Sequence, residues 1–477
     1  MSPVSSDPIA TWHGLLTPED LAARSFEALS ARMRAARLTF GDRVHCPFLR
    51  PLFLTAHDEA RVRACAEAVA VLGERVVEAA MAQPALLDEL GLRPEERRLV
   101  AIEPGYRRAS TSSRLDAFLL PDSLQAAEYN AESPAGFGYT ERLAGVFQHL
   151  PVMARFREQF EVEAYSLTQT MLEALLASYR EWGGTASPPV VGIVDFRGVP
   201  TWSEFEILQE RFIGLGVPTI VCDPRDLEFD GAALRFEGRK IDLLYRRVLI
   251  NDITSHPDEC AAIVRACEAR AVCMANSFRC KIPHKKAFFA ILTDDRFAGL
   301  FSDEERAMVA AHVPWTRVVH ETTTSHGGRT IDLVPFIRQR RADLVLKPND
   351  EYGGAGVNLG WEASESAWDA VLQEALGAAP GTWIVQEKIR VRREVFPWFQ
   401  GGRDAVMTDM LVDMAPYLFR GRVAGFLTRL SATGLANVTS GGGQVPSFRV
   451  TAKDMPLEDP CSRPGADASR RSGNGPQ

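Results

Sequence analysis

Residues 190–268 alternate short apolar runs with helix-patterned segments, and this alternation constrains the fold of the chain more than any other feature. The stretch 190–194 is a continuous apolar run, 204–215 carries helical periodicity, and 218–221 and 241–245 are further strand candidates before a helical segment at 257–268. Strands separated by helix-length crossovers pair in parallel, with helices covering the sheet. The segment 188–275 therefore reads as a small Rossmann-like α/β unit. No Gly-x-Gly-x-x-Gly follows its first strand, so the sequence does not indicate a dinucleotide site.

The flanks read differently. Residues 19–37 and 57–81 are rich in Ala, Leu, Glu and Arg, with apolar positions three and four apart, and so predict a helical N-terminal part. Strands are expected at 99–102 and 117–120, a polar loop at 128–138, and a helix over 160–182 that Gly183 and Gly184 terminate. A Gly/Ser/Pro-rich boundary at 183–189 closes a first section, 1–187, that also carries a strand-loop segment with metal-ligand chemistry. Residues 276–450 mix helix, strands at 344–346, 383–385 and 423–427, and a glycine-rich loop at 353–356. From 451 to 477 the chain holds four Pro and three Gly in 27 residues and reads as a disordered tail.

Composition narrows the function. The chain has 54 basic and 62 acidic side chains, a formal charge of -8, which argues against a nucleic-acid or anionic-membrane surface. No apolar run reaches the ~18 residues of a membrane span, and residues 1–16 lack a signal-peptide pattern, so a cytoplasmic location is expected. Of the eight cysteines, Cys260, Cys267, Cys273 and Cys280 are spaced seven, six and seven apart. Zinc sites want closer pairs, so these read as buried reduced thiols.

Three segments carry chemistry. Glu128-x-Asn130 places a carboxylate and an amide on one side of an extended chain, the hard oxygen donors that suit Mg²⁺. The run Leu344-Val345-Leu346-Lys347-Pro348-Asn349-Asp350-Glu351-Tyr352-Gly353-Gly354-Ala355-Gly356 delivers a lysine, carboxylates and a glycine loop from a buried strand. The lysine can meet phosphate oxygens, and glycines let backbone N–H groups approach them; it is no Walker A loop, since Gly-Lys-Ser/Thr is missing. The third segment, Trp383-Ile384-Val385-Gln386-Glu387, runs an apolar strand into polar residues fit for an adenine edge.

Together and in this order, the segments resemble a circularly permuted ATP-grasp ligase, as in the eukaryotic-type glutathione synthetases and the glutathionylspermidine synthetases. Glu128-Tyr129-Asn130-Ala131-Glu132-Ser133-Pro134 is most similar to the glutathionylspermidine synthetase motif, and Lys347-Pro348-Asn349-Asp350-Glu351 with Gly353-Gly354 to glutathione synthetase. The likeness spans roughly 100–450. It implies an α/β (mixed α+β) ATP-grasp fold and Mg²⁺ ligands at Glu128, Asn130 and Glu351. ATP contacts are implied at Lys347, Gly353, Gly354, Gly356, Gln386 and Glu387, and at Lys285 or Lys286, with Lys285 favoured by position. The same resemblance implies that Arg114 holds a substrate carboxylate, that Arg246 and Ser133 bind substrate, and that Arg429 acts beside a second glycine lid at 441–443. Ser431 departs from the lysine expected there, the spacing from Arg429 to Gly441 is longer than the family's, and Arg246 lacks the family's following Gly-Tyr.

The activity implied is ATP-dependent amide formation between a small-molecule carboxylate and an amine, with ATP and Mg²⁺ and no nucleic-acid or membrane partner. Dimers are usual in these families, so a homodimer is expected. The alternative is a catalytically inactive nucleotide-binding protein with a regulatory or interaction role.

Overall fold

The computed structural model describes residues 7–17, 19–40, 43–351, 353–399, 405–432 and 442–453. The molecule is mixed α/β, and two antiparallel sheets and one parallel sheet position the candidate site. The largest sheet joins Gly443–Val445, Arg422–Ser431, Val406–Phe419, Ser112–Leu119 and Leu124–Asn130 in that order, and Arg392–Trp398 pairs with the Val406–Phe419 strand. Side chains alternate between its faces. Leu115, Tyr129, Val412, Met414 and Leu430 belong to the main apolar core, which the Ala56–Ala82 helix crosses. Thr55 caps that helix by accepting from the Asp58 N–H. The alternate residues Arg114, Asp116, Glu128, Asn130, Asp413 and Arg429 stand on the other face, in the register Arg114–Asn130, Asp116–Glu128 and Asp413–Arg429.

The second sheet is built from Thr316–Val318, Trp383–Glu387, Leu344–Pro348 and Asn358–Leu359, all antiparallel. The parallel sheet joins Cys273–Ala275, Leu243–Arg246, Val191–Val194 and Thr219–Cys222, with the Trp202–Gly214 and Ala261–Glu268 helices between strands in the chain. Gly192 packs its bare Cα under Ile241, where an added Cβ would stand 3.0 Å from a methyl carbon.

Several local expectations are corrected. Residues 99–102 form no strand; Leu99 and Val100 end a helix, Pro94–Val100, because Pro94 sits at its first turn and Glu96 reaches back to the Arg93 N–H. Glu128 and Asn130 lie in the Leu124–Asn130 strand, not in a loop: Leu124, Ala126 and Tyr129 pack into the core, and a bulge at Ala127 shifts the alternation between them. The helix expected from 160 starts later: Phe160–Glu163 is a strand, Leu167–Trp182 is the helix, and Gly183 ends it with φ of 99°. Thr451 and Ala452 pair with Glu161 and Phe160 in the Ser447–Ala452 strand. The remainder of the expected tail, from 454, lies outside the described residues, as do Tyr352 and Gly441. All seven cysteines among the described residues are buried free thiols. Among the described residues, no helix is long and apolar enough to cross a membrane.

Candidate active site

The two antiparallel sheets meet where Lys347, second from last in the Leu344–Pro348 strand, reaches the edge of the Leu124–Asn130 strand. Its ammonium donates to the Ala127 carbonyl at 3.2 Å and to Gln386 Oε1 at 2.7 Å. Lys347 is almost wholly buried, and burial lowers its pKa to about 8, against the opposing pull of the nearby Glu128 carboxylate. Gln386 is held in turn, its amide donating to Thr316 Oγ1 at 3.0 Å. A buried lysine without a carboxylate in direct contact is a cation that a phosphate would stabilise.

Glu128 lies beside it. One of its oxygens accepts from Asn130 Nδ2 at 3.0 Å, and the other stands 3.3 Å from Lys286 Nζ. Burial alone would raise its pKa, but the Lys286 and Lys347 charges and the Asn130 hydrogen bond together outweigh it and hold it below the usual range. Lys286 also donates to the Glu351 backbone carbonyl. One ammonium thus gathers oxygen donors from the two segments that carry Glu128, Asn130 and Glu351. A carboxylate, an amide and a backbone carbonyl are hard ligands of the kind a divalent ion takes, and Glu128, Asn130 and Glu351 are the residues that would hold Mg²⁺. Among the described residues, no three His, Cys, Asp or Glu side chains are grouped to hold a metal; the set here is one carboxylate, one amide and one backbone carbonyl.

The sequence favoured Lys285 over Lys286 as the nucleotide lysine, and the structure turns the two to different partners. The Lys281–His284 helix stops at Lys285, whose ψ of 132° breaks the spiral before the Ala287–Thr293 helix begins. Lys285 is therefore turned to Glu96 at 3.0 Å and Asp350 at 2.7 Å, whereas Lys286 faces Glu128. After Glu351 the backbone turns through Gly353, Gly354 and Gly356, all with φ between 66° and 79°. At Gly356 a Cβ would also stand 2.7 Å from the Pro348 ring, so glycine is needed there for space as well. At the far end of the Trp383–Glu387 strand, Glu387 accepts from His326 at 2.7 Å.

The arginines are already engaged. Arg114 grips Asp116 with both arms of its fork, at 2.6 and 3.1 Å, and reaches the Ala135 carbonyl at 3.2 Å. Arg429 donates at 2.7 Å to Asp116 Oδ2, the oxygen that Arg114 Nη2 also reaches, and pairs with Asp413. Burial would raise the Asp116 carboxyl, but Arg114 and Arg429 drive it far below the usual range. Asp413 behaves oppositely: burial raises it to about 6. Arg246 is fully buried and bonds to Glu132 at 3.0 Å and to the Val248 carbonyl at 2.6 Å, while Asp242, four residues before it, pairs with Lys240. Ser133 donates to the Arg246 carbonyl at 3.0 Å. The structure thus groups Glu128, Asn130, the Glu351 carbonyl, Lys286, Lys347 and Gln386, with Gly356 beside Pro348, next in the chain to Lys347. Arg114 and Arg429 stand on the same sheet face, and Arg246 and Lys285 lie in a buried ion cluster behind them.

Sequence reasoning overlooked Asp413, Tyr417 and Lys281. Tyr417 stands opposite Arg114 in the sheet and donates to Ala135 at 2.8 Å. The available signal for Asp413 was one acid inside the apolar run 410–419, a pattern that marks a buried paired charge.

No protein-family model matches the chain. A provisionally named glutamate–cysteine ligase 2-2 of Frankia casuarinae is 25% identical over 287 residues, covering 57% of this chain and 30% of that protein. A glutamate–cysteine ligase 2-3 of Frankia alni, also provisionally named, is 25% identical over 272 residues, covering 54% and 29%. The chain thus spans about a third of the length of the curated relatives it matches. Among solved structures, a glutathione synthetase-like effector from Globodera pallida in its apo form aligns with a TM-score of 0.59 at 13% identity, over 91% of this chain and 97% of that one. At that identity the likeness shows the fold alone, and the fold of this chain is the mixed α/β fold of a glutathione synthetase-like protein.

Proposed function

We propose that this chain is an ATP-dependent carboxylate–amine ligase of the ATP-grasp kind, circularly permuted, acting through an acylphosphate. The observation that carries the reading is the meeting of Lys347, Lys286, Glu128, Asn130 and the Glu351 carbonyl at the junction of two sheets. The provisional ligase names of the curated relatives support it and suggest an amino acid such as glutamate as the acid, with a small amine such as cysteine as the acceptor. A second pair to test is a γ-glutamyl dipeptide with glycine, on the likeness to a glutathione synthetase-like effector.

In this reading a substrate carboxylate oxygen attacks the terminal phosphorus of ATP and ADP leaves. The amine then attacks the acyl carbon, phosphate departs with the C–O electron pair, and the amine loses a proton. Lys347 and Lys286 neutralise phosphate charge, the glycine backbone at 353–356 approaches the phosphates, and Gln386 keeps Lys347 aimed. Mg²⁺, held by Glu128, Asn130 and Glu351, would supply further charge neutralisation.

The test is ADP and phosphate release with a panel of acids and amines, glutamate with cysteine first. Hydroxylamine replaces the amine in a parallel reaction, since it traps an acylphosphate as a hydroxamate. ADP release without hydroxamate, or none with any pair, would reject the mechanism.

A further inference from the structure

Behind the proposed site lies a buried ion cluster to which the ligase chemistry assigns no role. Lys281 Nζ donates to Asp350 Oδ1 at 2.7 Å and to Asn251 Oδ1 at 3.1 Å, and stands 3.4 Å from Glu132 and 3.8 Å from Glu96. Lys285 Nζ donates to the other oxygen of Asp350 at 2.7 Å and to Glu96 at 3.0 Å. Arg246 pairs with Glu132 at 3.0 Å, and Glu132 also accepts from the Ile250 N–H. Three buried cations, Lys281, Lys285 and Arg246, meet three anions, Glu96, Glu132 and Asp350, and the half-exposed Arg93 also pairs with Glu96 at 3.1 Å. All but Asp350 have side chains at most 3% exposed; Asp350 retains 19%.

Buried ion pairs contribute little net stability over apolar packing, because desolvation offsets their attraction; what they do provide is a fixed geometry. Here the geometry is fixed at one residue. Both carboxylate oxygens of Asp350 are taken by different lysines. The preceding Asn349 is stapled through its amide to the Leu90 and Gly381 carbonyls at 2.9 and 2.7 Å. The following residue is Glu351, whose carbonyl Lys286 holds. The other end of the cluster reaches Arg246, Ile250 and Asn251, at the end of a strand of the parallel sheet.

We propose that Asp350 is a positioning residue: by neutralising Lys281 and Lys285 together it sets Glu351 against Glu128, and it ties that placement to the parallel-sheet unit. The proposal rests on the ligase reading for the meaning of the placement, and its test separates the two.

Asp350→Asn leaves three buried cations against two anions. Asp350→Asn with Lys281→Met leaves Lys285 paired with Glu96 and Arg246 paired with Glu132, two against two. The expected result is a fall in kcat of about tenfold or more in Asp350→Asn per folded molecule, with the KM for the acid nearly unchanged. The double variant should recover most of that loss, a non-additivity that independent sites do not show. Folding is followed by circular dichroism, and if Asp350→Asn does not fold, Asp350→Glu is used, which keeps the charge and displaces it by one methylene. Unchanged kcat per folded molecule in the variant used, or a double variant no better than Asp350→Asn, overturns the proposal. If the wild type releases no ADP with any substrate pair, the ligase reading fails by itself. Equilibrium dialysis of ATP with Mg²⁺ then decides for Asp350, with about tenfold weaker binding in Asp350→Asn and rescue in the double variant expected, and equal binding in all three proteins overturning it.

Discussion

Replacing Lys347 with methionine should stabilise the empty protein while removing its response to ATP. Burial takes the Lys347 ammonium from 10.5 in water to about 8 in the fold, and that difference is worth about 3 kcal/mol of strain on the charged form near neutral pH. The sign follows from proton binding. Between pH 8 and 10.5 the unfolded chain holds the proton more tightly, so wild-type stability rises with pH across that window and the penalty is fully present below it. Methionine fills a similar volume without the charge. It also leaves Gln386 Oε1 and the Ala127 carbonyl without their donor, a loss of about 1–3 kcal/mol. The balance is a gain of up to about 2 kcal/mol, or a rise in Tm of a few degrees at most for a chain of this size. The assay is thermal unfolding of both proteins with and without ATP and Mg²⁺. Wild type should gain about 2.7 kcal/mol at a hundredfold excess of nucleotide over its Kd, and Lys347→Met should gain almost nothing, so the order of stability reverses. A variant less stable than wild type without nucleotide, or equally stabilised by ATP, would refute the reasoning.

Other outcomes follow from the same geometry. Glu351→Gln should lower turnover by orders of magnitude with an unchanged melting curve, because a donor for the metal is lost at the moment of charge transfer; wild-type turnover at ordinary Mg²⁺ would remove Glu351 from the site. Buried Glu132 is held at about 2, below its usual 4.5, by Lys281 and Arg246 against the cost of burial, so about 3 kcal/mol of stability is lost as pH falls from 4.5 toward 2; denaturant titrations through that range should show the loss. Arg114→Lys cannot reproduce the two-armed grip on Asp116, and should raise the KM for the acid several-fold while ATP affinity holds; a collapse of ATP binding would make Arg114 purely structural. A chain ending at 450 removes Thr451 and Ala452 from their pairing with the Phe160–Glu163 strand, so it should melt below a chain ending at 453.

What was legible in the sequence is what period and local chemistry encode. The parallel strands at 191–194, 219–222 and 243–246 are short apolar runs bounded by turns, and they read as such. The Lys347–Gly356 segment could be read because a lysine at a strand end before glycines admits few uses. Glu128 and Asn130 were expected as a ligand pair and placed in a loop, because a strand whose buried positions, Leu124, Ala126 and Tyr129, are put out of step by a bulge looks polar when read one residue at a time. Leu99 and Val100 were misread for the opposite reason, since an apolar run of four cannot be told from the last turn of a helix by periodicity. Partners far apart in sequence were beyond reach. Asp242 is four residues from Arg246, yet Glu132, 114 residues away, is the acid that meets it.

The arginines show what such long-range pairing means for substrate binding. On the polar face of the large sheet, Arg114 and Arg429 share Asp116, and Arg429 also holds Asp413. Neither guanidinium is therefore a vacant anion site. An incoming carboxylate must displace an internal one, and the two differ in how easily they yield. Asp116, gripped by both arginines, stays ionised and in place. Asp413 is buried, keeps one oxygen without a hydrogen bond, and is raised to about 6. Its hold on Arg429 therefore weakens as pH falls through that value, when it takes a proton. Under the ligase reading, the expectation is that a substrate carboxylate meets Arg429 by displacing Asp413, the more weakly held acid, while Arg114 keeps Asp116 and the Ala135 carbonyl fixed beside it. In that arrangement Asp413→Asn leaves Arg429 held by Asp116 alone and lowers the KM for the acid, and the wild-type KM falls toward the variant's below pH 6; parallel KM profiles for the two proteins across that range would show that Asp413 does not compete with substrate.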